Sequence, residues 1–146
     1  MKKIKNTKGF TLMEMLIVVA IIAILIAIAI PTFNSSLNKA KVGTDEANIR
    51  SGYASVMTEV LTSDTGVTTG TTYTLNVDAS VTKTGDTGGT PYVTKGDANK
   101  VVTGDDAKIS IGGVDVKPWS AGQKVTYSVT VKDGETTIAI NTEDSK

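Results

Sequence analysis

The hydrophobic pattern divides the chain into three stretches. From Phe10 to Ile30 the residues are apolar apart from Thr11 and Glu14. At about 1.5 Å per residue, a helix of that length spans roughly 31 Å, the thickness of one hydrocarbon core. From Thr32 to Leu61 apolar residues recur at helical spacing: Phe33, Leu37 and Ala40, then Ile49, Tyr53, Val56, Met57 and Val60. The second group predicts a core stripe laid against a sheet. Between the groups, Gly43-Thr44-Asp45-Glu46 reads as a break or restart, with Thr44 or Asp45 capping the next turn.

After Ser63 the helical period is lost, and Thr, Gly, Asp and Val dominate. Residues 71–77 alternate, with Tyr73, Leu75 and Val77 on one face, and predict a strand. Lys108-Ile109-Ser110-Ile111 predicts a shorter one ending at Gly112-Gly113. Asp133-Gly134 predicts a two-residue hairpin turn. That turn would set Lys132 opposite Glu135, Val131 opposite Thr136, Val129 opposite Ile138, Tyr127 opposite Ile140 and Val125 opposite Thr142. The apolar residues then share a face. Ala79–Asp106 reads as mostly loop, with an edge strand at Pro91-Tyr92-Val93, and is the candidate variable, outward surface. Pro118-Trp119 would pin the loop before the hairpin by burying the Trp.

Energetics favour membrane insertion of the first stretch. Eleven large aliphatics lie between Leu16 and Ile30, and at −0.3 to −0.6 kcal/mol each they sum to roughly −3 to −7 kcal/mol. Glu14 would cost about 3 kcal/mol at the bilayer centre and less near the end of the segment, where it sits. Lys2, Lys3, Lys5 and Lys8 precede the run and the next lysine is Lys39, so the N-terminus is expected on the cytoplasmic side. On hydropathy alone, a secretory signal peptide or an uncleaved anchor remains open. A signal peptide has a shorter apolar core of about 7–15 residues, although Ala27-Ile28-Ala29 offers a small-x-small site.

The junction narrows this. Lys8-Gly9-Phe10-Thr11-Leu12-Met13-Glu14-Met15-Leu16, followed by an apolar run closing on Ile30-Pro31, resembles the N-terminus of type IV prepilins, the short-leader a-type in particular. The resemblance covers about the first thirty residues. It implies removal of leader 1–9 by a prepilin peptidase between Gly9 and Phe10, and N-methylation of Phe10. It also implies an assembly role for Glu14 against the free amine of a neighbouring subunit, and a helix kink at Pro31. The implied fold is α+β: a transmembrane and polymerisation helix over 10–30, an amphipathic helix over 31–62, and a small antiparallel β-sheet head over 63–146. For Glu14 the bland alternative is an interfacial carboxylate reaching water. For Pro31 it is a simple end to the membrane segment.

Composition limits the chemistry. The chain has 15 basic and 15 acidic residues. A cleaved leader would take four lysines and no acid, leaving 11 basic and 15 acidic side chains, a balance of −4. That balance argues against intrinsic nucleic-acid binding. There is no His and no Cys, which removes the commonest general base, thiol nucleophiles and the usual zinc ligands. No catalytic residue, metal site or cofactor is assigned. Asp97-Ala98-Asn99 and Gly104-Asp105-Asp106 could offer oxygens to calcium but lack the EF-hand pattern. Asn34-Ser35-Ser36 matches a glycosylation sequon, read as coincidence. Many Gram-negative pilins staple this region with a disulfide, so the lack of Cys favours a Gram-positive source.

The expected function is a pilus subunit, held in the cytoplasmic membrane before assembly and on the cell surface afterwards. Its partners would be copies of itself, the prepilin peptidase, and assembly machinery driven by a separate ATPase. Such a filament would support adhesion, aggregation or surface motility. The alternatives are a pseudopilin of a type II secretion or competence system, and an anchored domain that does not polymerise.

Overall fold

A computed structural model describes residues 9–63 and 66–145. The leader lysines Lys2, Lys3, Lys5 and Lys8 lie outside them. The chain forms two compact units, Met1–Ser36 and Leu37–Lys146. A single helix, α1 (Leu12–Thr62), supplies most of the first unit and the opening of the second.

In the first unit the apolar residues of α1 are exposed, from Leu12 through Ile30 to Phe33. The helix is long and apolar enough to cross a membrane. Pro31 lies inside it and does not end it. Proline's missing amide leaves the Ala27 carbonyl without its usual donor. One residue on, the Thr32 hydroxyl donates to the Ile28 carbonyl at 3.3 Å.

The second unit is α+β, as the alternating patterns imply. A four-stranded antiparallel sheet runs in the order β2 (Val81–Lys83), β1 (Thr72–Leu75), β5 (Gln123–Lys132), β6 (Glu135–Asp144). A separate hairpin joins β3 (Ile109–Ile111) to β4 (Val114–Val116). Helix α1 contributes Val42, Asp45, Ile49, Gly52 and Val56 to the interior, spaced three and four apart. Tyr53 and Val60 flank that stripe, half-buried against the core. On the sheet, Tyr73, Leu75, Val125, Tyr127, Val129, Ile138 and Ile140 face inward.

The β5–β6 hairpin has the anticipated register at every named pair, from Lys132↔Glu135 to Val125↔Thr142. Its turn places Asp133 at φ 53° and Gly134 at φ 81°, the two positive values of a type I′ turn. Trp119 is fully buried.

Three expectations are corrected. Gly43–Glu46 does not break α1, because Asp45 points into the core instead of capping a turn. The first strand stops at Leu75. Val77 is exposed because a turn begins at Asn76, with Ala79 N–H donating to the Asn76 carbonyl and Asp78 accepting from Ser80 N–H. The edge strand is Val81–Lys83, whereas Pro91 and Val93 make only isolated bridges to Asn76 and Lys124. The short strand does end at Gly112-Gly113, as the pattern predicts, and this pair turns the chain into β4, with φ 61° and 86°. The 79–106 loop is also less free than its composition suggests, because Tyr92, Thr94 and Ala98 are buried.

Candidate functional site: the helix start and its counterpart in the core

The helix start is built by Thr11 and Glu14. Thr11 immediately precedes α1, and its hydroxyl accepts from the Glu14 N–H at 3.2 Å. The Glu14 Oε2 accepts in return from the Thr11 N–H at 2.8 Å and the Thr11 hydroxyl at 2.9 Å. This is a reciprocal capping box, which satisfies donors that a helix N-terminus leaves orphaned. A carboxylate there also opposes the positive end of the helix dipole. The Thr-x-x-Glu spacing carries this signal, although the acid's apolar setting is the more conspicuous feature of the sequence.

Gly9 and Phe10 precede the cap and are exposed. A Cβ built on Gly9 would meet nothing within 4 Å, and its backbone is not left-handed. The fold therefore does not require glycine there. Phe10 has 80% of its surface exposed. Gly9, Phe10 and Glu14 thus share one accessible stretch beside the helix start. Pro31 lies further along the same helix, and the Asp133-Gly134 turn belongs to the other unit.

With this geometry in view, the N-terminal stretch matches the family model described as "Prokaryotic N-terminal methylation motif" over residues 4–30. The match covers 27 of the chain's 146 residues. The chain is also similar to the "Type IV narrow pilus major component PilA5" of Thermus thermophilus, 48% identical over 52 residues. That match covers 34% of this chain and 45% of the relative, so the chain spans less than half of that relative's length. No solved structure matches.

A second carboxylate cluster leaves no mark in the sequence. Asp45 is fully buried. Its Oδ1 accepts from the Tyr92 hydroxyl at 2.5 Å and the Lys95 N–H at 3.0 Å. Its Oδ2 accepts from the Gly96 N–H at 2.7 Å, the Lys95 N–H at 3.0 Å and the Trp119 Nε1–H at 3.3 Å. Asn38 adds a two-way clasp, donating to the Asp97 carbonyl at 2.9 Å and accepting from the Asp97 N–H at 2.8 Å. Asn48 donates to Tyr92 Oη at 3.0 Å. In effect three side chains of α1 hold residues 92–97, and the loop in turn holds Trp119 through the Ala98 N–H donating to the Trp119 carbonyl at 2.8 Å. Burial, and then the Asp45 hydrogen bond, push the Tyr92 hydroxyl from 10.0 up to about 12. These bonds hold the cysteine-free loop.

Among the described residues, no three acid side chains gather into a metal-sized group. Asp97 Oδ2 goes to Lys100 Nζ at 3.0 Å.

Proposed function

We propose that the chain is the structural subunit of a type IV pilus, polymerised through its Phe10–Ile30 helix after cleavage at Gly9–Phe10 and N-methylation of Phe10. The observation that carries this reading is the N-terminal methylation motif joined to an apolar helix whose large side chains, from Leu12 to Phe33, are exposed among the described residues. Before cleavage that surface is stable in lipid, with the lysines on the cytoplasmic side. In a filament, neighbouring copies would cover it.

Glu14 suits an assembly role by geometry. Cleavage would free an amine at Phe10, one residue before the cap. Oε2 is occupied by Thr11, and the carboxylate has lone pairs left for an ammonium on a staggered neighbour. Such a pair, desolvated between helices, would penalise a wrong register strongly. Pro31 would be the point at which α1 bends. Partners would be the prepilin peptidase and an assembly machine with a separate ATPase. Adhesion, aggregation or twitching motility would follow from the filament.

The test is a tandem mass spectrum of the subunit in filaments sheared from cells. A chain beginning with N-methyl-Phe10 in that fraction supports the pilus. The same terminus confined to membranes points to a pseudopilin or an unassembled subunit. An uncut chain, or one starting after Pro31, overturns the reading.

A further inference from the structure

The sheet face turned away from α1 carries a charge pattern that is its own complement. Along β5 and β6 the buried residues alternate with outward ones. Outward, three uncharged cross-strand pairs stack in the middle: Thr126–Asn141, Ser128–Ala139 and Thr130–Thr137. At the two ends lie charged pairs, Lys124–Glu143 and Lys132–Glu135. Both lysines are therefore on β5 and both glutamates on β6. The ends are eight residues apart, about 27 Å along the strand. Among the described residues the ion pairs are Lys100–Asp97 and Lys108–Asp115. The four end charges stand opposite one another without closing into such pairs.

We infer that this face binds the same face of a second copy of the chain, about a two-fold axis that runs along the strands between β5 and β6. That rotation lays β5 of each copy over β6 of the other. Lys132 then meets the second copy's Glu135, and Lys124 meets its Glu143, at four corners in all. The other in-plane axis, across the strands, would lay lysine over lysine and glutamate over glutamate. Charge therefore selects one arrangement, a contact in which residue i meets j and j meets i. The neutral middle lets the two faces approach without charge repulsion between the ends. Its side chains are short, so the backbones can come close.

The β5–β6 strip of the four-stranded sheet offers only a few hundred Å² per copy, well below the roughly 800 Å² of a stable interface. One contact is weak, and repetition along a polymer multiplies it. A two-fold contact closes on itself, so it does not extend a polymer but joins two of them side by side. That last step rests on the proposed pilus; the contact itself does not.

The test uses the full chain in detergent micelles, where no filament is needed. The protein has no cysteine, so Ser128→Cys chains can be mixed with Ala139→Cys chains and oxidised. The expected result is a mixed disulfide dimer in several-fold excess over that from Ser128→Cys mixed with Val77→Cys, because Val77 is exposed off this face. Adding Lys132→Glu to the Ser128→Cys partner, opposite an unchanged Glu135, should cut the trapped yield by about tenfold. Adding Glu135→Lys to the Ala139→Cys partner should then restore it. Yield equal to the Val77→Cys control, or no rescue by the paired reversal, overturns the inference. Thermal unfolding of each variant confirms that the hairpin is intact. If sheared filaments are absent but trapping persists, the pilus reading fails and the face contact stands.

Discussion

Glu14 and Asp45 sit on the same helix and could hardly differ more in what surrounds them. Glu14 stands out in the sequence because every neighbour within several residues is apolar or hydroxylic, yet its partner in the folded chain is three residues away. Asp45 lies in an ordinary polar stretch, yet it gathers four donor groups from residues 47 to 74 positions away. A carboxylate's sequence context reports the medium around it. Its partners are set by the fold, and a long-range hub leaves no local trace.

The largest expected effect falls on the hub. Asp45→Ala would leave the Tyr92, Lys95, Gly96 and Trp119 donors unpaired in the interior. Each buried donor left unsatisfied costs about 1–3 kcal/mol, and partial relaxation around the smaller side chain leaves a net loss of about 3–5 kcal/mol. For a domain of this size that lowers the melting temperature by roughly 10–20 °C. Calorimetry of the full chain in micelles measures it. Asp45→Asn would fare little better, since the amide turns a donor toward donors. An unchanged melting temperature in either variant would show that the cluster is ornamental.

What the sequence could tell follows the range of each interaction. The β5–β6 register is readable because a two-residue turn and strict alternation fix it within twenty residues. Trp119 burial is readable because a large apolar ring beside a proline has few other places to go. Its bond to Asp45 is not, since nothing in the chain marks the pairing of residues 74 apart. Residues 94–97 read as polar loop, and their attachment runs through backbone amides that no side-chain pattern displays. At the helix start the information is local and available. Thr11-x-x-Glu14 is a capping box by spacing, but the greasy medium around the acid draws attention away from that geometry.

The glycines sharpen the comparison next. A Cβ on Gly96 would meet the Val42 N at 2.5 Å and the Lys41 carbonyl carbon at 2.9 Å, backbone atoms of α1 that cannot yield singly. One on Gly52 would press on the Tyr127 hydroxyl and come within 2.6 Å of Leu75 Cδ1. Tyr127 is held there by donating to the Ile49 carbonyl at 2.8 Å. Gly52→Ala gains about 1 kcal/mol of helix propensity and loses about 1–3 kcal/mol to overpacking. The net is destabilising, and Gly96→Ala more so. Gly9→Ala, with open space around it, should leave the fold unchanged while stopping leader removal. Urea melts and N-terminal sequencing separate these outcomes.

A smaller effect comes from pH. Folding raises the Tyr92 hydroxyl from 10.0 to about 12, chiefly by burial and then by the Asp45 bond. A raised folded value means the folded state holds the proton more tightly. The stabilisation is complete below pH 10 and is lost as pH rises from 10 towards 12. Burial of Tyr127 acts in the same direction. Stability should therefore fall over that window, and Tyr92→Phe should flatten part of the fall. It should also cost about 1–2 kcal/mol at neutral pH, where Asp45 loses one donor. A fall of equal steepness in Tyr92→Phe would remove Tyr92 from the account.

The smallest effect returns to the helix start. Thr11→Ala removes a hydroxyl that both donates to Glu14 Oε2 and accepts from the Glu14 N–H. Such a cap contributes about 1 kcal/mol, confined to the first turn. Because Thr11 belongs to the first compact unit and the cooperative core to the second, the melting temperature of the β-sheet unit should not move. Amide exchange at Glu14 and Met15, whose N–H groups bond to Thr11, should rise by roughly fivefold, as about 1 kcal/mol of lost local stability implies. Glu14→Gln tests the rest. It keeps an acceptor for Thr11 and so retains most of the cap, but it gives up the charge. If Glu14 acts only as a cap, that variant assembles normally. If it meets a neighbour's free amine, assembly fails while the helix start stays protected, and the two carboxylates of α1 part company in function as they do in structure.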